Sequence, residues 1–80
     1  MVELDQHFMV DEKLLKEIAS YATSWDTVLE IGCGQGALTA ELAKNAKFVF
    51  AVEKDESFIS VLQDKFMDVK NVAFTFADVL

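Results

Sequence analysis

Val28-Leu29-Glu30-Ile31-Gly32-Cys33-Gly34-Gln35-Gly36 is the stretch on which the fold turns. Its first four residues are mostly apolar and end abruptly at glycine. Such a run predicts a short strand buried on both faces. Gly32, Gly34 and Gly36 then make a turn in which backbone can approach a ligand with no Cβ in the way. After the turn Leu38, Leu42 and Ala43, with Ala40 and Ala46 alongside, predict a helix to about Asn45. That helix, beginning near Ala37, aims its free N–H groups and the positive end of its dipole at whatever the turn holds.

The same alternation extends in both directions. Residues 48–52 predict a second buried strand. Phe58, Ile59, Val61, Leu62 and Phe66 mark a further helix after the Asp55-Glu56-Ser57 start, and residues 72–76 a third strand. Upstream, Asp11 is placed to cap a helix whose apolar stripe is Leu14, Leu15, Ile18, Ala19 and Ala22. Residues 23–26 form a polar break and residues 1–10 an irregular arm. Strands alternating with helices imply βαβ units, a parallel sheet and right-handed crossovers. The expected architecture is a three-layer α/β fold with strand order 3-2-1. Its first strand forms a bare edge with unpaired backbone groups. Phe48, Phe50, Phe58, Phe66, Phe74 and Phe76 are read as core.

Of the 80 residues 52% are hydrophobic, seven of them Phe. That is more apolar material than one small, marginal core hides, so part of it is expected to face a missing partner. Fourteen acids against seven Lys, with no Arg, leave a net charge of −7. A chain of that sign repels phosphate backbones and lacks the guanidinium fork that grips them, which argues against nucleic-acid binding by this chain alone. Cys33, the single cysteine, allows no internal disulfide and suits a reducing cytoplasm. Residues 1–10 lack the basic-then-apolar pattern of a secretion signal. No apolar run approaches the roughly 18 residues of a membrane span.

Glu53 follows the second strand directly, and in open α/β sheets a carboxylate there reaches the two hydroxyls of a ribose. Strand, glycine turn, helix and spaced acid together point to an adenosine-containing ligand. Two ligand classes fit. Gly32-x-Gly34-x-x-Ala37 satisfies the dinucleotide fingerprint in its terminal-Ala form. Glu30 favours the other class, because a carboxylate just ahead of the glycines repels a pyrophosphate but not an ammonium or a sulfonium. Cys33 has no companion base in its neighbourhood and reads as a small loop thiol rather than a nucleophile.

The arm Gln6-His7-Phe8-Met9, the helix from Asp11, the glycine segment through Ala37-Leu38-Thr39, and Ala51-Val52-Glu53-Lys54-Asp55 resemble the ribosomal RNA adenine N6,N6-dimethyltransferases and the related erythromycin-resistance methylases. The resemblance runs along almost the whole chain, and the arm is its specific part. It implies a partial Rossmann-like, S-adenosylmethionine-dependent methyltransferase fold. It further implies that His7 and Met9 hold S-adenosylmethionine from the arm. Gly32, Gly34 and Gly36 line its methionine end, near Glu30. Glu53 takes the ribose hydroxyls and Asp78 the adenine amino group. The resemblance departs from the family at Ala77, where Gly is usual, and at His7, where Asn is commoner.

The family's Asn/Asp-x-Pro-Tyr/Phe catalytic motif is not in this chain, which has no Pro and whose one Tyr, Tyr21, lies in the first helix. Residues 1–80 therefore read as the N-terminal half of a catalytic domain: an arm (1–10) and a βαβ cofactor-binding part (11–80). No catalytic residue and no metal ligand is assigned within it. The parent is expected to methylate adenines of small-subunit ribosomal RNA, and the piece alone to be inactive and prone to self-association through its sheet edge. A nicotinamide-dinucleotide module and a non-catalytic interaction fragment are the alternatives.

Overall fold

The structure, a computed structural model, describes residues 11–78. Its elements are α1 (Glu12–Ala19), β1 (Thr27–Ile31), α2 (Ala37–Asn45), β2 (Phe48–Glu53), α3 (Ile59–Lys65) and β3 (Val72–Phe76). A short 3₁₀ turn, Glu56–Phe58, leads into α3. Helix α1 begins where Asp11 Oδ1 accepts the Leu14 N–H at 3.1 Å, with Glu12 at the positive end of the dipole. It stops at Ala19, short of the expected Ala22. There the Ser20 hydroxyl donates to the Glu17 carbonyl, and Asp26 Oδ2 accepts from the Thr23 N–H at 2.7 Å. Short polar side chains thus offer the backbone an alternative to the next helical turn. Asp55 starts the 3₁₀ turn in the same way, accepting the Ser57 N–H at 2.9 Å.

The three strands are parallel, in the order β1-β2-β3. Register places Val28, Val49 and Val72 in one row and Glu30, Ala51 and Phe74 in the next. Side chains in register share a face. On this face Ala19, Leu42 and Ala46 pack around Val49, and Leu62, Phe66 and Cys33 pack around Ala51. The Phe66 and Phe74 rings meet edge-on at 5.1 Å. Two asparagines tie helices down: Asn45 donates to the Ala19 carbonyl at 2.9 Å, and Asn71 to the Ala43 carbonyl at 2.8 Å.

Three expectations need correction. All three helices cover one face, so the described residues make two layers rather than three. Strand β1 is consequently not buried on both faces: Leu29 is 66% and Ile31 48% exposed. Phe50 shares their face and is 48% exposed, so it does not belong to the core. Its ring lies 4.8 Å from that of Phe48 on the same open face. Part of the excess apolar composition is this uncovered surface; Tyr21, Trp25 and Met67 are exposed elsewhere. As expected, β1 is an edge strand among the described residues.

Candidate functional site

Parallel strands deliver their C-terminal ends to one edge of the sheet, and every described site residue is gathered there. Gly32 extends the ladder one step past β1, its N–H donating to the Val52 carbonyl at 2.7 Å. The chain then turns through Gly32, Gly34 and Gly36, all with positive φ (75°, 54° and 83°). In that region a side chain costs about 1–2 kcal/mol, so glycine is dictated by backbone shape. The turn closes when the Gly36 N–H donates to the Cys33 carbonyl at 2.8 Å. Gly36 caps α2 without a side-chain oxygen, and no acid sits in the helix's first turn. The first N–H groups of α2 are therefore open to a ligand.

The glycines have different surroundings. A Cβ on Gly32 would meet nothing within 4 Å, so open space lies before it. One on Gly36 would strike Phe66 Cε2 at 2.6 Å and Leu62 Cδ2 at 2.9 Å. Gly32 thus leaves room for a ligand, whereas Gly36 lets α3 pack against the elbow. Lys65 on α3 reinforces that contact, donating to the Gln35 carbonyl at 3.1 Å.

Glu53 ends β2 and is 6% exposed. Its Oε1 accepts the Gly34 N–H at 2.7 Å and its Oε2 the Asp55 N–H at 2.9 Å. The elbow and the acid that the sequence paired are therefore in direct contact on adjacent strands. Beyond β3 the Ala77 N–H donates to the Glu53 carbonyl at 3.0 Å, which brings the exposed Asp78 to the same edge. His7 and Met9 lie outside the described residues.

Glu30 is half-buried on the helix-covered face, and burial raises its pKa. A hydrogen bond from the Thr39 hydroxyl to Glu30 Oε1 opposes that rise. Cys33 is 7% exposed, and its thiol is pushed up to about 12 by burial first, then by Glu30 and Glu53. It stays protonated and is no nucleophile. Sequence reasoning missed Thr39. Its only signal was a hydroxyl inside an otherwise apolar helical stripe, one turn after the elbow.

A parallel sheet with a glycine elbow after its first strand and an acid closing its second defines a Rossmann-like α/β fold. A family model described as "Ribosomal RNA adenine dimethylase" matches residues 2–80, and the chain belongs to that family. A Halobacterium salinarum protein named "Probable ribosomal RNA small subunit methyltransferase A" is 48% identical over 68 residues, covering 82% of this chain and 24% of the relative. A protein of the same name from Methanosarcina acetivorans is 46% identical over 78 residues, or 95% of this chain and 29% of the relative. Among solved structures, the 23S rRNA methyltransferase ErmE superposes with a TM-score of 0.79 at 34% identity, covering 90% of this chain and 30% of that one. The chain thus spans about a quarter to three-tenths of the length of these three proteins.

Proposed function

We propose that residues 1–80 supply the S-adenosylmethionine-binding part of an rRNA (adenine-N6,N6-)-dimethyltransferase that acts on small-subunit ribosomal RNA. One observation carries this reading: the Gly34 amide and the buried Glu53 carboxylate stand 2.7 Å apart at the C-terminal edge of two adjacent strands. Elbow and acid can thus hold the methionine and ribose parts of one adenosine-bearing molecule. Gly32 and Gly34 would face the methionine end, with Gly36 fixing the elbow against α3 and Glu30 supplying negative charge nearby. Glu53 would accept the ribose hydroxyls with the lone pairs its two N–H bonds leave over. Asp78 would take the adenine amino group. His7 and Met9 would close the site from the arm. The open space before Gly32 and the Glu30 carboxylate suit a cationic ligand. They suit a pyrophosphate poorly, which sets the nicotinamide alternative behind.

Bound S-adenosylmethionine would supply an electrophilic methyl group, and this chain's contribution is to hold and orient it. With no Pro in the chain, the base-stacking motif must come from further residues of a longer protein. Binding of ribosomal RNA would rest there too, since a net charge of −7 repels it. Among the described residues no helix is long and apolar enough to cross a membrane, and a free Cys33 suits the cytoplasm. Calorimetry on the full-length protein tests the assignment. S-adenosylmethionine should bind and reduced nicotinamide dinucleotide should not. A full-length protein without S-adenosylmethionine affinity, or one whose Glu53→Ala variant binds it undiminished, would refute the reading.

A further inference from the structure

We infer that Thr39 is a positioning residue that aims the Glu30 carboxylate at the ammonium end of the ligand, and so sets the site's preference for a cationic tail. The inference rests on the S-adenosylmethionine reading and goes beyond it by assigning work to a helix residue that faces no ligand.

Thr39 is 0% exposed in the first turn of α2. A wholly buried hydroxyl is costly there unless it is bonded, and valine would fill nearly the same volume without that cost. The partner that the structure gives it is Glu30 Oε1, nine residues back on β1. Among the described residues Glu30 forms no ion pair. The ion pair seen among the described residues is Lys44–Glu41, at 3.0 Å. The titratable group that interacts with Glu30 among the described residues is the Cys33 thiol in the elbow, which is neutral, its pKa raised by burial first and then by Glu30 and Glu53. From α2 the group that meets it is Thr39, and its register neighbours Ala51 and Phe74 are apolar.

The two acids therefore differ in kind. Glu53 is satisfied by two backbone N–H groups, one on each oxygen. Among the described residues, hydrogen bonds to Glu30 engage Oε1 alone and leave Oε2 for another donor. Burial that raises the Glu30 pKa would neutralise it, and the Thr39 bond works against this. A half-buried carboxylate, locked by a buried hydroxyl and without a cation of its own, is complementary to an incoming ammonium.

The test uses the full-length protein and two probes, S-adenosylmethionine and 5′-methylthioadenosine, which has the nucleoside but no ammonium. Thr39→Val should weaken S-adenosylmethionine about tenfold or more and leave methylthioadenosine within about twofold, while Thr39→Ser retains both. Carbon-detected titration of the ligand-free protein should show the Glu30 midpoint higher in Thr39→Val and unmoved in Thr39→Ser. If both affinities fall in parallel, or the midpoint stays put, Thr39 is a packing residue and the inference fails. Should Thr39→Val not fold, Thr39→Ala takes its place: a ratio of the two affinities equal to wild type refutes the inference, and a collapsed ratio with a raised Glu30 midpoint supports it. Failure of the wild type to bind either probe refutes the cofactor reading itself, while the titration still reports on the Thr39–Glu30 pair.

Discussion

The Gly34 N–H and Glu53 Oε1 meet at 2.7 Å although 19 positions separate them in the chain. The contact joins the loop between β1 and α2 to the end of β2, and the Asp55 N–H on Oε2 adds the start of the next turn. Glu53 therefore shapes the site before any ligand arrives. Hydrogen bonds to a charged acceptor contribute about 1.5–3 kcal/mol each, more than neutral ones. A residue read from sequence as a ligand contact is also the clasp of the elbow.

Glu53→Ala should accordingly lower stability by about 2–4 kcal/mol, besides abolishing ligand binding. Glu53→Gln keeps one acceptor oxygen and should cost about half as much. Urea titration gives the stabilities, and amide exchange at Gly34 should speed up in both variants. Protection of Gly34 equal to wild type in Glu53→Ala would show that the clasp is not needed.

Alanine at Gly36 and at Gly32 should fail for different reasons. Both positions have positive φ, which costs each variant about 1–2 kcal/mol. At Gly36 the new methyl also collides with Phe66 and Leu62, adding about 1–3 kcal/mol of overpacking. At Gly32 it meets open space, so stability should suffer less, and the loss should appear in ligand affinity. Thermal melts and calorimetry on the pair separate the two effects. Adding Phe66→Leu should recover part of the Gly36→Ala loss and none of the Gly32→Ala loss.

Cys33 should be inert. With its thiol pushed up to about 12, its thiolate fraction near pH 8 is at least a hundredfold below that of an ordinary cysteine. Alkylation of the folded protein at pH 8 should be slower than that of the urea-unfolded chain by at least that factor. Equal rates would mean that the thiol is not held among Glu30, Glu53 and the core.

Element order, sheet order and the pairing of elbow with acid were legible in the sequence, because each leaves a local mark. Glycine stops β1, alternating apolar runs set the βαβ order, and Glu53 stands at the end of β2. The end of α1 was less legible: Ala22 continues the stripe, and only the competing bonds of Ser20 and Thr23 reveal the stop at Ala19. The open sheet face was misread at Leu29, Ile31 and Phe50. An apolar strand looks the same whether or not a second layer covers it. Thr39 escaped notice because its role depends on Glu30, a partner on another element.

Glu30 gives the ligand-free protein a pH dependence of defined sign. Its folded pKa is raised above the ordinary 4.5, mainly by burial. The folded state therefore holds the Glu30 proton to a higher pH than the unfolded chain does. The stability this contributes is fully present below the ordinary value and is lost as pH rises through the folded one. Asp55 acts oppositely and in a lower window. The Ser57 hydrogen bonds depress its pKa below 3.8, so its contribution is lost as pH falls. Glu30→Gln, which can still accept from Thr39, should flatten stability just above pH 4.5 and exceed wild type at pH 7. Urea midpoints from pH 4 to 8 check this. A wild-type midpoint with the same pH slope as Glu30→Gln through that window would contradict it.

The uncovered sheet face should make the isolated chain self-associate. Leu29, Ile31 and Phe50 present a contiguous apolar surface beside the outer side of β1, which pairs with no further strand among the described residues, and exposed strand edges recruit further strands. Sedimentation of the 80-residue chain should show concentration-dependent association. Leu29→Lys, at a residue 66% exposed, should weaken that association while costing little stability, because the side chain leaves water only in the complex. If further residues of a longer protein cover this face, the same substitution there should be more destabilising than in the isolated chain. A monomeric wild-type chain with slow amide exchange along the outer side of β1 would show that the edge is already satisfied and that the face needs no cover.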